Sequence, residues 1–128
     1  TPQFKNNPKE EINLINNIKF FLKKDKRNKM LITNYPFFSI ILDQKLFSPS
    51  RVYTGDGTTH PLKGNAYEIK YQKLMNNIIK KNNITVIYVT NIKNENINFH
   101  YIDFYKNCFE KKVILKQLTS YEIKNCSL

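Results

Sequence analysis

The chain has 128 residues, 41% of them hydrophobic, and carries a formal net charge of +11. A chain of this length has room for one domain that buries roughly two-thirds of its unfolded surface, so the composition excludes an obligatory dependence on metals or disulfides and argues against long disordered regions. The sequence has no run of about 18 apolar residues and no start that resembles a signal peptide, and it therefore predicts no membrane-spanning helix.

The positive charge has two interpretations. Clustered Lys and Arg would favour a nucleic-acid surface, because they neutralise phosphates. Nearly all of this charge is Lys, spread along the chain among abundant Asn and Ile, and the planar fork of Arg, which suits phosphate better, occurs twice. We therefore interpret the lysines as solvated side chains of a compositionally biased sequence, with weak attraction to an anionic membrane surface as a further option.

The chain begins with a linker, residues 1–7, and continues as a single α/β domain, residues 8–128. A helix is predicted over Pro8–Lys24, because proline suits its first position, acidic residues occupy its first turn and lysines its last. A short strand is predicted at Met30–Thr33. The helix predicted over Pro36–Lys45 is so apolar that burial on more than one side is expected. The apolar stripe of the first helix consists of Ile12, Ile15, Ile18, Phe21 and Leu22.

Strands and helices continue to alternate in the second half of the chain. The predicted elements are a strand at Arg51–Thr54, a helix at Ala66–Lys81, a strand at Ile84–Thr90, a helix at Phe99–Cys108 and strands at Val113–Leu118 and Tyr121–Cys126. The strand at Ile84–Thr90 is continuous, β-branched and apolar, as expected of a central parallel strand covered on both faces. The alternation predicts a three-layer, Rossmann-like α/β sheet that is mostly parallel, with room for an antiparallel C-terminal strand.

The segment Pro49–Pro61, PSRVYTGDGTTHP, differs most in composition from the rest of the chain. It holds two of the three glycines, one of the two arginines and one of the two histidines. Ligands of open α/β sheets bind beyond the carboxyl ends of strands, and this segment follows the end of a predicted strand. Its candidate ligand-binding residues are Arg51, Tyr53, Gly55, Asp56, Gly57 and His60.

Each candidate also has a structural interpretation. Gly55 and Gly57 form either an anion-binding nest of backbone N–H groups or a plain turn, and their spacing matches neither a Walker loop nor a dinucleotide-binding fingerprint. Arg51 either binds a phosphate or carboxylate or forms an ordinary salt bridge. Three tyrosines offer a choice between lining the cleft and covering the core: Tyr35, Tyr53 and Tyr67.

Asp56 and His60 are the chemical pair that the segment offers. As a base and its orienting carboxylate they would act in a small hydrolase, and with His100 they would be metal ligands. Their spacing lacks the compactness of metal sites, and the sequence shows no complete catalytic constellation. We therefore predict no metal, no cofactor and no catalytic residue, and interpret His100 as a structural histidine at a helix start.

Cys108 and Cys126 are the only cysteines. A disulfide between them would close a loop long enough to stabilise the fold by roughly 3 kcal/mol. A bridge is expected in an oxidising compartment and two unrelated thiols in the cytosol, and the residues alone leave both open.

The order of these features resembles the soluble C-terminal domain of bacterial multi-pass membrane glycosyltransferases. The transferases in question are the dolichyl-phosphate-mannose and aminoarabinose type, which use polyprenyl-phosphate-linked sugars. The resemblance spans most of the chain. It rests on the helix INLINNIKFFLK, the segment KMLITNYPFFSIILDQK, the SPSRVY stretch, the strand ITVIYV, and the ending with Cys108 and YEIKNC.

The resemblance implies an extracytoplasmic domain at the periplasmic face of a bacterial inner membrane, with a Cys108–Cys126 disulfide. The catalytic carboxylates of that family lie in loops of the membrane portion and have no counterpart here, so the domain is expected not to catalyse alone. The expected partners are the membrane portion of its own parent chain and a glycan or lipid-linked sugar. The alternative is a small, cytoplasmic nucleotide- or nucleic-acid-binding protein, with nucleic acid the less favoured ligand.

Overall fold

The computed structural model of the chain describes residues 8–35, 37–48, 64, 66–92 and 108–124. Within them the elements are α1 (Pro8–Lys24), β1 (Lys29–Thr33), α2 (Phe38–Leu42), α3 (Glu68–Lys81), β2 (Val86–Thr90), β3 (Phe109–Leu115) and β4 (Leu118–Ile123). The predicted α/β class is confirmed. None of the described helices is both long and apolar enough to cross a membrane.

The four described strands form one mixed sheet in the order β1-β2-β4-β3. β1 and β2 are parallel, whereas β4 is antiparallel to both β2 and β3. The expected antiparallel strand near the C-terminus is therefore present. A mostly parallel, Rossmann-like sheet is not confirmed, because β3 and β4 are joined by a tight hairpin, and a short connection of this kind can link only antiparallel strands.

Helices cover both faces of this sheet because side chains alternate along a strand. Leu31 of β1 belongs to a buried cluster with Ile18 of α1, and α2 contributes to the same cluster. Met30, which precedes Leu31 in β1 and points to the other face, belongs to a second buried cluster with Met75 of α3. β2 lies between β1 and β4 and is almost entirely buried, which confirms it as the central strand.

α2 is shorter than the helix predicted over Pro36–Lys45. It ends at Leu42, because the next residue, Asp43, adopts a left-handed conformation with φ of 50°. The expected burial on more than one side is wrong, since Phe37 and Ile40 are 52% and 63% exposed. One face of α2 packs on the core and the other faces solvent.

The bounds of α1 are those that the sequence predicted, and α3 begins at Glu68 rather than at Ala66. The apolar stripe of α1 is wrong at one position, Ile12, which is 58% exposed. Six residues turn an α-helix through 600°, so Ile12 lies roughly 120° around the helix from the fully buried Ile18.

The C-terminal strands differ from the prediction in their bounds. A turn at Lys116 and Gln117 interrupts the strand predicted over Val113–Leu118, so that β3 ends at Leu115 and β4 begins at Leu118. β3 is one of the two edge strands of the described sheet, and its middle residues are exposed. The adjacent Lys111 and Lys112 suit an edge strand, because their charge discourages pairing with other chains. The same charges make this strand difficult to recognise in the sequence.

Two predicted elements fall largely on other parts of the chain. The strand at Arg51–Thr54 lies outside the described residues. So does the helix predicted over Phe99–Cys108, except for its last residue. Cys108 lies in a turn directly before β3 and is not helical.

Candidate functional site

The predicted ligand-binding segment is not covered by the described residues. The candidates that lie outside them are Arg51, Tyr53, Gly55, Asp56, Gly57 and His60, together with His100 and Cys126. Their roles stay predictions. The described part of the chain instead has two polar regions, one at each end of the parallel strands β1 and β2.

The first region is the carboxyl-edge network, formed by Thr33 and Asn34 at the end of β1 and by Thr90 and Asn91 at the end of β2. The Thr90 hydroxyl donates to the Thr33 hydroxyl over 2.5 Å, and the Asn34 amide donates to the Asn91 side-chain oxygen over 2.6 Å. The side-chain oxygen of Asn34 accepts a hydrogen bond of 2.9 Å from the backbone N–H of Ile92. Because Thr33, Asn34 and Thr90 are all at most 4% exposed, these bonds lock the two strand ends together.

Tyr35 and Tyr67 occupy different environments. Tyr35 follows the network, and its half-buried ring packs edge-on against Phe37 and Phe38, with centroids 5.4 and 5.1 Å away. Tyr67 is 65% exposed, and the Lys70 ammonium lies 5.8 Å from the centre of its ring. Tyr35 is thus part of the aromatic packing around the start of α2.

Replacing Asn34 with alanine is expected to destabilise the fold by about 2 kcal/mol, because the buried N–H of Ile92 loses its acceptor. Urea unfolding followed by circular dichroism measures the change. Asn17→Ala, on the exposed side of α1, is the matched control and should leave stability equal or slightly higher, since alanine favours the helix. Equal stabilities of the two variants would contradict a structural role for the carboxyl-edge network.

The second polar region lies at the amino end of β1 and centres on Asp25. The Arg27 guanidinium binds the Asp25 carboxylate through Nε and Nη2 at 3.0 and 2.8 Å, and the Arg27 backbone N–H also donates to it. The Tyr88 hydroxyl donates to the same carboxylate over 2.5 Å. The Arg27 guanidinium also donates a hydrogen bond of 3.1 Å, from Nη1, to the carboxylate of Glu122 in β4. These contacts tie the loop between α1 and β1 to the two strands beside it.

The protonation states of this network follow from its contacts. Burial alone would raise the pKa of Asp25, but hydrogen bonds from Arg27 and Tyr88 and the adjacent guanidinium charge lower that pKa to about 2. Burial and the bond to Asp25 raise the pKa of Tyr88 to about 12. At neutral pH the carboxylate is therefore charged and the phenol protonated, which is the arrangement of a structural ion pair.

Beside this network lies a cavity of about 220 Å³, which we call the basic pocket. It is lined by residues 26–28 of the loop before β1, by Lys29 at the first position of β1, and by Gln44, Lys45 and Phe47 after α2. A backbone hydrogen bond of 3.2 Å from the N–H of Leu31 to the carbonyl of Leu46 holds the second segment against β1. Four of the lining side chains are cationic.

Lys29 is the buried member of the basic pocket, at 3% exposure. Its ammonium donates to the backbone oxygen of Asp25 over 2.6 Å and to the side-chain oxygen of Gln44 over 3.2 Å. Burial lowers the pKa of Lys29 below its ordinary value, although the Asp25 charge opposes that shift. Chemically, this pocket is suited to hold an anion.

Comparison with known proteins adds no family to this description. No family model, curated protein or solved structure matches the chain. In the described residues no group of three or more His, Cys, Asp or Glu side chains is arranged to hold a metal ion. The glycosyltransferase resemblance therefore stays a prediction from the sequence.

Sequence reasoning missed the basic pocket. The interpretation of the lysines as solvated side chains is wrong for Lys29, which is buried at the first position of β1. A signal was present, since Arg27 is as rare in this chain as Arg51 and stands two residues before an apolar strand. The other wall, at Lys45 and Phe47, had no such signal, because only the tertiary fold brings it to β1.

Cys108 is half-buried at the start of β3, and its carbonyl accepts a hydrogen bond of 2.6 Å from the backbone N–H of Lys124. Its sulfur is disulfide-bonded. Cys126 lies outside the described residues, so the predicted pairing of these two cysteines stays a prediction.

Proposed function

We propose that this chain is an accessory α/β domain of a membrane glycosyltransferase-like protein and that it does not catalyse by itself. The carboxyl-edge network is the observation that carries the proposal. In open α/β sheets this edge holds the ligand and the reacting groups. Here Thr33, Asn34 and Thr90 are buried and hydrogen-bonded to neighbouring protein groups, which supports a structural use of the edge.

A three-layer, Rossmann-like arrangement of the whole chain belongs to the same proposal. It is supported by the parallel pairing of β1 with β2 and by the packing of α1 and α3 on opposite faces of the sheet. The antiparallel β3–β4 hairpin is then an addition at one side of that arrangement.

In this proposal the domain lies at the periplasmic face of a bacterial inner membrane, beside the membrane portion of its own parent chain. There it covers the active site or holds a glycan acceptor or lipid-linked sugar. The disulfide at Cys108 supports this location, because disulfides persist in oxidising compartments and are rare in the cytosol.

Protease accessibility tests the location. The complete open reading frame is expressed in bacteria with an epitope tag in this domain, and spheroplasts are treated with protease before and after lysis. We expect the tagged domain to be cut before lysis, while a cytoplasmic marker protein survives until lysis. Protection of the domain until lysis would contradict the proposal. Salt-sensitive retention of the tagged protein on immobilised DNA or RNA would support the cytoplasmic alternative.

A further inference from the structure

We propose that the basic pocket binds a phosphate group and that the Lys29 ammonium is its principal donor. This inference rests on the pocket alone and does not depend on the proposed function. Lys29 carries a buried positive charge, and burying an ammonium is costly unless an anion or a full set of acceptors compensates for it.

The contacts of Lys29 leave that compensation incomplete. An ammonium has three N–H donors, and two of them reach neutral oxygens, the backbone carbonyl of Asp25 and the amide of Gln44. No salt bridge joins Lys29 to another described residue. The third donor is therefore available to a ligand oxygen in the pocket that Lys29 lines.

The charge around the pocket matches a doubly charged anion. Lys26, Arg27, Lys29 and Lys45 contribute four positive charges. The carboxylates of Asp25 and Glu122 both pair with Arg27, and Glu122 also pairs with Lys124, so the four cations of the pocket keep an excess of at least two positive charges. A phosphate monoester carries about 1.5 to 2 negative charges at neutral pH and three acceptor oxygens.

The size of the pocket favours a small ligand. Its volume of about 220 Å³ lies below the roughly 300 to 1,000 Å³ of pockets for drug-sized molecules. Free phosphate or the phosphate end of a larger molecule suits this volume, with the remainder of the larger molecule outside.

Phe47 gives the pocket a preformed wall. Its φ of 50° lies in the left-handed region, which bulky side chains rarely adopt and which tends to persist at functional sites. Packing against the core beside α3 holds the ring, and the Lys45 ammonium lies 5.2 Å from its centre. The ring of Phe47 thus forms an apolar wall beside the Lys45 ammonium at the rim of the pocket.

Titration of the 128-residue chain with inorganic phosphate, at constant ionic strength set by sodium chloride, tests the proposal. Amide chemical shifts should change saturably at residues 26–29 and 44–47. Lys29→Met should weaken binding by about tenfold or more, the effect of removing a charge-assisted hydrogen bond. The matched control Lys112→Met removes an exposed charge on β3 and should change affinity by less than about twofold.

A second pair of variants keeps the test decisive if Lys29→Met does not fold. Lys26→Gln/Lys45→Gln alters only exposed side chains at the rim and should weaken phosphate binding several-fold, whereas Lys111→Gln/Lys112→Gln should not. Equal binding by these two double variants, or shifts that do not saturate, would overturn the proposal.

Two further arms identify the source of the phosphate. A hexose phosphate represents a soluble ligand, and vesicles of phosphatidylcholine with phosphatidic acid represent a lipid phosphate. Binding in either arm that is lost in Lys26→Gln/Lys45→Gln and kept in Lys111→Gln/Lys112→Gln supports the pocket and names its ligand class. Binding that responds equally to both double variants reflects net charge alone and counts against the pocket.

Discussion

Replacing Ile87 with alanine is expected to destabilise the fold by about 2–5 kcal/mol. Ile87 is fully buried on the central strand β2, opposite Met30 of β1 and Tyr121 of β4. It packs against Met75 and Ile79 of α3, so truncation leaves a cavity between the sheet and that helix. Since small domains have a total stability of about 5–15 kcal/mol, urea unfolding should show a large fall in the midpoint.

Val113→Ala provides the control for this truncation. Val113 also belongs to a strand, but it lies on the edge strand β3 and is 63% exposed. Its truncation removes little buried surface and should cost less than about 1 kcal/mol. Similar losses for the two variants would contradict the central position of β2 and the two-sided burial of the sheet.

The sequence predicted best those elements whose pattern is strong over their whole length. α1 has a proline at its start, acidic residues in its first turn and lysines in its last, and its bounds are those observed. β2 follows from a continuous β-branched apolar run. In both cases local preference and burial favour the same structure, so no distant contact was needed to recognise it.

Elements decided by distant contacts were harder to predict. The order β1-β2-β4-β3 depends on which strand β4 joins, and nothing local to Leu118–Ile123 records its pairing with β2. A buried strand is recognised by alternating apolar and polar residues, but β3 has consecutive charged residues in its first half. They are tolerated because β3 lies at the edge of the described sheet. Asp43 shortened α2 through a left-handed conformation that its residue type permits but does not require.

The candidate site shows the same division. Composition drew attention to Pro49–Pro61, which the described residues leave untested. Composition does not distinguish Lys29 from the twenty other Lys and Arg residues, whereas its burial in the fold does. The basic pocket exists because the segment after α2 returns to the edge of β1, and a contact of this kind cannot be read from the spacing of charges.

Asp25→Ala should destabilise the fold by about 2–4 kcal/mol at neutral pH. Its carboxylate is 10% exposed and accepts hydrogen bonds from the Arg27 side chain and backbone and from Tyr88. Removing it leaves the buried Tyr88 hydroxyl without that acceptor and Arg27 with Glu122 as its remaining ion pair. Tyr88→Phe deletes one donor, keeps the Asp25–Arg27 pair and should cost about 1 kcal/mol.

The acid dependence of stability separates the charge of Asp25 from its packing. The folded state lowers the pKa of Asp25 from an ordinary value of 3.8 to about 2, so the stabilisation is fully present above pH 3.8 and is lost as the pH falls through about 2. The shift corresponds to on the order of 2 kcal/mol.

Urea unfolding at about pH 5 and about pH 2 tests this dependence. The difference in the free energy of unfolding between wild type and Asp25→Ala should shrink by that amount at the lower pH, while Tyr88→Phe keeps most of the wild-type acid dependence. A difference that is the same at both pH values would mean that the Asp25–Arg27 pair contributes no charge-dependent stability, and the network would then stabilise the fold by packing alone.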